Sequence, residues 1–168
     1  MAIVYDDEDL DQQRMHLDTY FNFLSDKYVI VLNFTECEEK YNKKVNRKVF
    51  LYEENANNPI NESEIEANGT NITHIPKVVG NYKLISVYQK FYDFLTDNGY
   101  EMIKVSDEQQ INYMINFLNI GNNELISVNK DLENVAQPAG VNVKFIEFRP
   151  ILNMYGAMHC ITQVSRVE

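Results

Sequence analysis

Cys160 is the residue whose type and setting most favour covalent chemistry in this sequence. It follows Gly156 and Ala157, small residues that let a backbone come close to a ligand. A cysteine thiolate held near a cation attacks electron-poor carbon atoms. The segment therefore predicts a nucleophilic cysteine. The alternative interpretation is a structural cysteine, because cysteine is among the residue types most often buried.

His16 and Asp18 lie near the other end of the sequence and could serve the same chemistry. They are two positions apart, so on a strand both side chains would face the same way and could address one ligand. An imidazole transfers protons near neutral pH, and a carboxylate binds a cation. The alternative is a surface histidine followed by an ordinary aspartate at the start of a strand.

The remaining histidines and the second cysteine are weaker candidates. His159 adjoins Cys160, so in an extended chain it points the other way, and we expect a structural role for it. His74 and Cys37 have no partner at a useful spacing in the sequence. Zinc requires three or four ligands at coherent spacing, which these scattered residues do not offer, so we predict no metal site. A glycine-rich phosphate-binding loop is also absent from the sequence.

Length and charge limit the classes of partner. The 168 residues suggest one domain that can bury its own core. The net charge of −10 argues against nucleic acid, whose phosphates require clustered Lys and Arg, and suits a small cationic ligand better. The sequence shows neither a signal peptide nor an apolar run of membrane-spanning length, and two cysteines fit a reducing compartment. We expect a cytoplasmic protein that binds no membrane.

The first half of the chain predicts mainly strands. Apolar, β-branched and aromatic residues at 20–24 and 28–32 flank a Ser-Asp-Lys turn, which predicts a hairpin. The surrounding segments are assigned as an acidic lead-in (1–13), a polar excursion (34–48), a short strand (49–52) and a long surface loop (53–80).

A helix and a strand are predicted to complete this half. Four apolar residues fall on one helical face between Ser86 and the stop at Asn98-Gly99, namely Val87, Phe91, Phe94 and Leu95. Residues 100–105 then predict a strand.

The second half repeats this order. Residues 116–120 and 124–128 predict hairpin strands around Gly121-Asn122-Asn123. A short helix over 130–137 is predicted to stop at Pro138-Ala139-Gly140, before a strand that starts at 141 and continues to 148. Both halves are therefore predicted to be ββαβ units, and Asn22-Phe23-Leu24 is echoed by Asn116-Phe117-Leu118. Such units normally pack against further copies of themselves, so a site between repeats would be only partly present here.

Three segments together resemble one family. Met15-His16-Leu17-Asp18-Thr19 resembles the His-x-Asp motif of arginine deiminases. Residues 156–163 are similar to the catalytic-cysteine motif of the wider guanidine-modifying superfamily, with His-Cys-Ile-Thr-Gln closest to agmatine deiminases. Residues 115–121 are similar to the family's penultimate strand and hairpin. The order, spacing and position of these segments match the family over nearly the whole chain.

The resemblance implies a hydrolase that acts on a guanidinium group without a cofactor or a metal. The Cys160 thiolate would attack the guanidinium carbon, ammonia would leave, and water would resolve the covalent thiouronium to a ureido product. Asp18 would bind the guanidinium, and His16 would protonate the leaving amine and then activate water.

The resemblance also implies the fold and the partners. The family fold is an α/β propeller (pentein) of five ββαβ units, of which residues 1–168, as a single domain, would supply the last two, at about 14–105 and 106–168. The family's further guanidinium-binding carboxylate and glutamate belong to earlier repeats and cannot be assigned here. We therefore expect self-association, or association with an upstream half of the same enzyme.

One departure from the family pattern bears on the substrate, and two other hypotheses remain open. Tyr155 stands where arginine deiminases carry an Arg that holds the substrate's α-carboxylate. This departure argues against free arginine as the substrate and leaves agmatine or a peptidyl arginine open.

The first other hypothesis is a non-catalytic family member that acts as a binding or interaction module. The second is an unrelated α/β domain in which Cys160 is structural.

Overall fold

The computed structural model describes residues 2–6, 19–42, 47–54, 78–79 and 81–147, together with residues 157 and 159. Within them are three small sheets and four α-helices, which confirms the mixed α/β class. In chain order the elements are β1 (Ala2–Asp6), β2 (Phe21–Phe23), β3 (Tyr28–Leu32), α1 (Phe34–Tyr41), β4 (Arg47–Glu54), β5 (Val78–Val79), β6 (Tyr82–Tyr88), α2 (Phe91–Asp97), β7 (Glu101–Val105), α3 (Asp107–Ile111), β8 (Leu118–Gly121), β9 (Glu124–Ser127), α4 (Leu132–Val135), a 3₁₀ turn (Gln137–Ala139) and β10 (Asn142–Phe145).

The chain divides into two compact units. One contains Met1–Asp7 and Asn46–Phe94, and the other contains Glu8–Val45 and Leu95–Glu168. In sequence, Met1–Asp7 of the first unit precedes the second unit, and Asn46–Phe94 interrupts it between α1 and β7. Because of this interruption we call the first unit the inserted unit. The division falls within α2. The segments that resemble catalytic motifs all belong to the second unit, which we call the motif-bearing unit. None of the described helices is long and apolar enough to cross a membrane.

The first sheet of the motif-bearing unit has the strand order β2-β3-β7. β2 and β3 form the predicted hairpin, and β7 lies parallel to β3. The turn is held by Ser25, whose Oγ accepts a hydrogen bond from the Tyr28 N–H at 3.2 Å. From Val29 to Leu32 every side chain of β3 is fully buried, as is typical of a central strand covered on both faces.

The second sheet repeats this topology with the order β10-β9-β8. β8 and β9 are antiparallel, and β10 is parallel to β9. Asn122 and Asn123 have φ values of 52° and 60°, the left-handed conformation that a two-residue hairpin turn requires. The predicted hairpin is therefore confirmed, although β8 begins two residues later than expected. The predicted helix is present as α4 and the 3₁₀ turn, which ends at Gly140 with φ 66°.

The inserted unit is built on an antiparallel sheet with the order β1-β4-β6-β5. The lead-in prediction was wrong for residues 2–6, which form β1 by pairing with the buried strand β4. The loop prediction was wrong at both ends, since residues 53–54 extend β4 and residues 78–79 form β5. Residues 55–77 lie outside the described part of the chain.

The predicted helix start at Ser86 was also wrong. Residues 86–88 complete β6, which pairs with β4. This strand pairing outweighs the helical spacing of Val87 with the apolar residues that follow it, so α2 begins only at Phe91. The predicted stop is confirmed by Gly99, whose φ of 80° ends the helix.

Two helices were not predicted. Residues 34–41 of the expected polar excursion form α1, which buries only Phe34 and Cys37, three positions apart. That stripe is too narrow to stand out among charged residues. The short helix α3 starts with a capping box, in which Ser106 accepts from the Gln109 N–H and the Gln109 side chain accepts from the Ser106 N–H.

Candidate functional site

The three residues predicted to carry the chemistry, His16, Asp18 and Cys160, lie outside the described residues. What the structure describes is the chain on either side of them. Tyr20, two positions after Asp18, is buried, and its carbonyl accepts a hydrogen bond from the Leu32 N–H at 2.9 Å. The chain that follows the His-x-Asp motif is thus joined to the end of the central strand β3.

The cysteine segment is described at two positions before Cys160. Ala157 is buried, and His159 is exposed. The backbone N–H of His159 donates a hydrogen bond to Oδ1 of Asn116 at 3.1 Å. Asn116 is only 4% exposed and lies two positions before β8. The backbone one position before the cysteine is therefore attached to a buried side chain.

Asn22, in β2, holds the residues on both sides of Asn116. Its Nδ2 donates to the carbonyl oxygens of Ile115 and Phe117, both at 2.9 Å. Its Oδ1 accepts from the Phe23 N–H, which fixes the orientation of the amide group. Since Asn22 follows the His-x-Asp motif by four positions, the neighbours of both motifs meet at residues 115–117.

A second asparagine links the two hairpins in the opposite direction. Nδ2 of Asn119, in β8, donates to the carbonyl oxygens of Phe23 and Leu24 at 3.1 and 3.2 Å. Ile115 and Phe117, which accept the hydrogen bonds of Asn22, are almost completely buried. We call Asn22, Asn116 and Asn119 the asparagine clamp.

The clamp was missed by the sequence analysis, although a signal for it exists. The echo of Asn-Phe-Leu places Asn22 and Asn116 at the same position of the two halves. In the structure each of these side chains bonds to the backbone of a segment later in the chain, residues 115–117 for Asn22 and His159 for Asn116. An amide side chain can donate and accept at once, which suits it to joining backbone segments.

Cys37 has a setting that disfavours nucleophilic chemistry. It is fully buried in α1, and its Sγ lies 3.9 Å from Oδ1 of Asp107. A neighbouring carboxylate opposes formation of a thiolate, whereas a nucleophile needs a neighbouring cation. The same carboxylate accepts 2.6 Å hydrogen bonds from Lys40 and Tyr41, and its hydrogen bond with Lys40 raises the pKa of that side chain. Cys37 is thus part of a structural cluster around Asp107.

The described residues contain no group of three or more His, Cys, Asp or Glu side chains that could hold a metal ion.

The repeated sheets and the asparagine clamp define a mixed α/β protein in which the backbone at His159 is attached to the segment before β8. Comparison with known families matches residues 2–166 to arginine deiminase. No curated protein matches the chain. Because the match covers nearly the whole chain, the protein belongs to the arginine deiminase family, whose members are hydrolases that act on guanidino groups.

Proposed function

We propose that this chain acts in the hydrolysis of a guanidinium group, with Cys160 as the nucleophile, His16 as the acid and base, and Asp18 as the carboxylate that binds the substrate. Membership of the arginine deiminase family supports the reaction class. The observation that supports the assignment is a pair of contacts of the asparagine clamp. Asn22, four positions after the His-x-Asp motif, and His159, one position before Cys160, both form hydrogen bonds to residues 115–117.

The proposed reaction has two stages. In the first, the Cys160 thiolate forms a bond to the guanidinium carbon, the bond from that carbon to one nitrogen breaks, and His16 gives a proton so that ammonia leaves. In the second, His16 takes a proton from water and the resulting hydroxide bonds to the thiouronium carbon. The carbon–sulfur bond then breaks, and the remaining hydroxyl proton passes to solvent, where the released ammonia takes it up. The products are a ureido compound and the regenerated thiolate. This sequence of steps requires neither a metal nor a cofactor.

Substrate binding in this proposal depends on charge. A guanidinium is a delocalised cation with donors around its plane, so a carboxylate such as Asp18 can hold it while the sulfur approaches its carbon. The acidic chain, with its net charge of −10, favours the approach of such a cation. With Tyr155 at the position of the family's carboxylate-binding Arg, we propose agmatine or a peptidyl arginine ahead of free arginine.

We propose further that the two sheets of the motif-bearing unit are adjacent repeats of an α/β propeller. Their strand order and strand directions are the same, and Asn119 forms hydrogen bonds from β8 to Phe23 and Leu24 of the β2–β3 hairpin. Other repeats would then cover faces such as those of Phe23 and Ile120, which are 44% and 46% exposed. Self-association, or binding of a segment that carries the other repeats, should follow. A strictly monomeric protein in concentrated sedimentation runs would count against self-association.

The test is release of ammonia and of a ureido product from agmatine, a peptidyl arginine and arginine. Cys160→Ala should abolish turnover, whereas the matched variant Cys37→Ala should keep it after its folding has been checked by circular dichroism. Turnover that survives in Cys160→Ala would overturn the assignment. If the wild type turns over none of these compounds, hydrolysis by this chain is refuted and the binding-module hypothesis replaces it.

A further inference from the structure

We propose that Asn116 is a positioning residue for the cysteine nucleophile, because it fixes the backbone one residue before Cys160. The nucleophilic role of Cys160 in this inference rests on the proposed function. The hydrogen bond that carries it, from the His159 N–H to Asn116 Oδ1, is a feature of the structure.

The anchor itself is buried and held from both sides. Asn116 is 4% exposed, and the flanking Ile115 and Phe117 are 1% and 0% exposed. The carbonyl oxygens of those two residues accept hydrogen bonds from Asn22, and the Phe117 N–H donates to the Ile115 carbonyl at 3.0 Å. Because these bonds hold the backbone on both sides of Asn116, they limit where its Oδ1 can lie.

The attachment reaches the cysteine through its backbone and not through the imidazole. His159 presents an exposed side chain, while its N–H is the donor to Asn116. Consecutive Cα atoms are about 3.8 Å apart, so fixing the His159 amide limits where the Cys160 thiol can lie. A displacement of about 1 Å at a reacting atom can lower a rate by about a hundredfold. Loss of the Asn116 acceptor should therefore slow the chemical step more than it weakens substrate binding.

Two substitutions separate positioning from folding. Asn116→Leu has a similar size but no acceptor, and Asn116→Asp keeps an oxygen that can accept from the His159 N–H. Asn142→Leu, at an exposed position of β10, is the matched control. Circular dichroism and urea unfolding establish that each full-length variant is folded. If Asn116→Leu does not fold, Asn116→Ser replaces it, because its shorter side chain cannot span the same distance.

The first readout is hydrogen exchange of the His159 amide, measured by NMR. The wild type should protect this amide, and Asn116→Leu should raise its exchange rate by about tenfold or more, as expected for loss of one hydrogen bond. The Asn33 amide, which donates to the Val105 carbonyl at 2.8 Å, is the internal reference and should not change. An unprotected His159 amide in the wild type, or unchanged exchange in Asn116→Leu, would overturn the inference.

The second readout is kinetic. Asn116→Leu should lower kcat by about a hundredfold with little change in KM, and Asn116→Asp should restore most of the loss. A rise in KM with kcat unchanged would contradict a positioning role. A wild type without turnover would refute the proposed function alone, since exchange of the His159 amide still decides whether Asn116 anchors the cysteine segment.

Discussion

Replacing Asn22 should show how much the asparagine clamp contributes to stability. Asn22→Ala removes two 2.9 Å hydrogen bonds, to the carbonyl oxygens of Ile115 and Phe117. At about 1 kcal/mol for each neutral hydrogen bond, with a further cost for leaving the carbonyl oxygen of buried Phe117 without this donor, the free energy of unfolding should fall by about 2–3 kcal/mol. For a chain of this size that corresponds to a loss of about 4–12 °C in Tm.

The assay is urea unfolding followed by far-ultraviolet circular dichroism, with Asn142→Ala as the control. Asn142 is exposed in β10, so its replacement should change stability by less than about 0.5 kcal/mol. If Asn22→Ala and Asn142→Ala unfold at the same urea concentration with the same slope, the two hydrogen bonds of Asn22 do not stabilise the protein.

A variant of equal size adds a pH dependence. Asn22→Asp keeps the acceptor for the Phe23 N–H but turns a carboxylate oxygen toward the two carbonyl oxygens. Repulsion between these oxygens should raise the pKa of the introduced carboxyl group above its unfolded-state value. The destabilisation should therefore be largest at neutral pH and should shrink as pH falls and the group becomes protonated. A deficit that stays constant across this pH range would contradict the assigned donor role of Asn22.

Two further predictions concern ion pairs in the motif-bearing unit. The pKa of Glu101 is lowered because Lys27 hydrogen-bonds to it. The contribution of this ion pair to stability is therefore present above the ordinary pKa of 4.5 and is lost as pH falls through the lower folded-state pKa. The Tm difference between wild type and Glu101→Gln should disappear in acid, and a constant difference would refute this linkage. Asp107→Asn should lower the free energy of unfolding in urea by about 2 kcal/mol, because the buried carboxylate accepts a hydrogen bond from Tyr41 at 2.6 Å. Lys40→Met, which removes the half-exposed partner, should cost less. Equal losses in the two variants would contradict the central place of Asp107 in the cluster.

The elements that could be predicted from sequence are those whose pattern is local. The β2–β3 hairpin follows from a continuous apolar run after a Ser-Asp-Lys turn, and the β8–β9 hairpin follows from the two asparagines at its tip. Helix α1 could not be predicted because only Phe34 and Cys37 face the core. Strand β1 depends on pairing with β4, more than 40 positions later, and no local pattern encodes such a partner.

For the candidate site, the sequence supplied residue types and the structure supplied connections. His16, Asp18 and Cys160 were proposed from chemistry and resemblance, and they remain predictions. The amide groups of Asn22 and Asn116 have little meaning in an Asn-rich sequence until their partners are known. Their roles arise from hydrogen bonds over separations of 93 and 43 positions, which periodicity and propensity do not report.

The central claim, that Cys160 is a nucleophile directed at cationic guanidinium groups, can be tested by alkylation of the wild-type protein. Chloroacetamidine, which carries a guanidinium-like charge, and neutral chloroacetamide are compared at one pH, and mass spectrometry of peptides measures the rates at Cys160 and Cys37. We expect chloroacetamidine to label Cys160 much faster than Cys37, and chloroacetamide to show far less preference. Equal rates at the two cysteines, or no advantage for the charged reagent at Cys160, would contradict a nucleophilic role of Cys160 toward guanidinium groups.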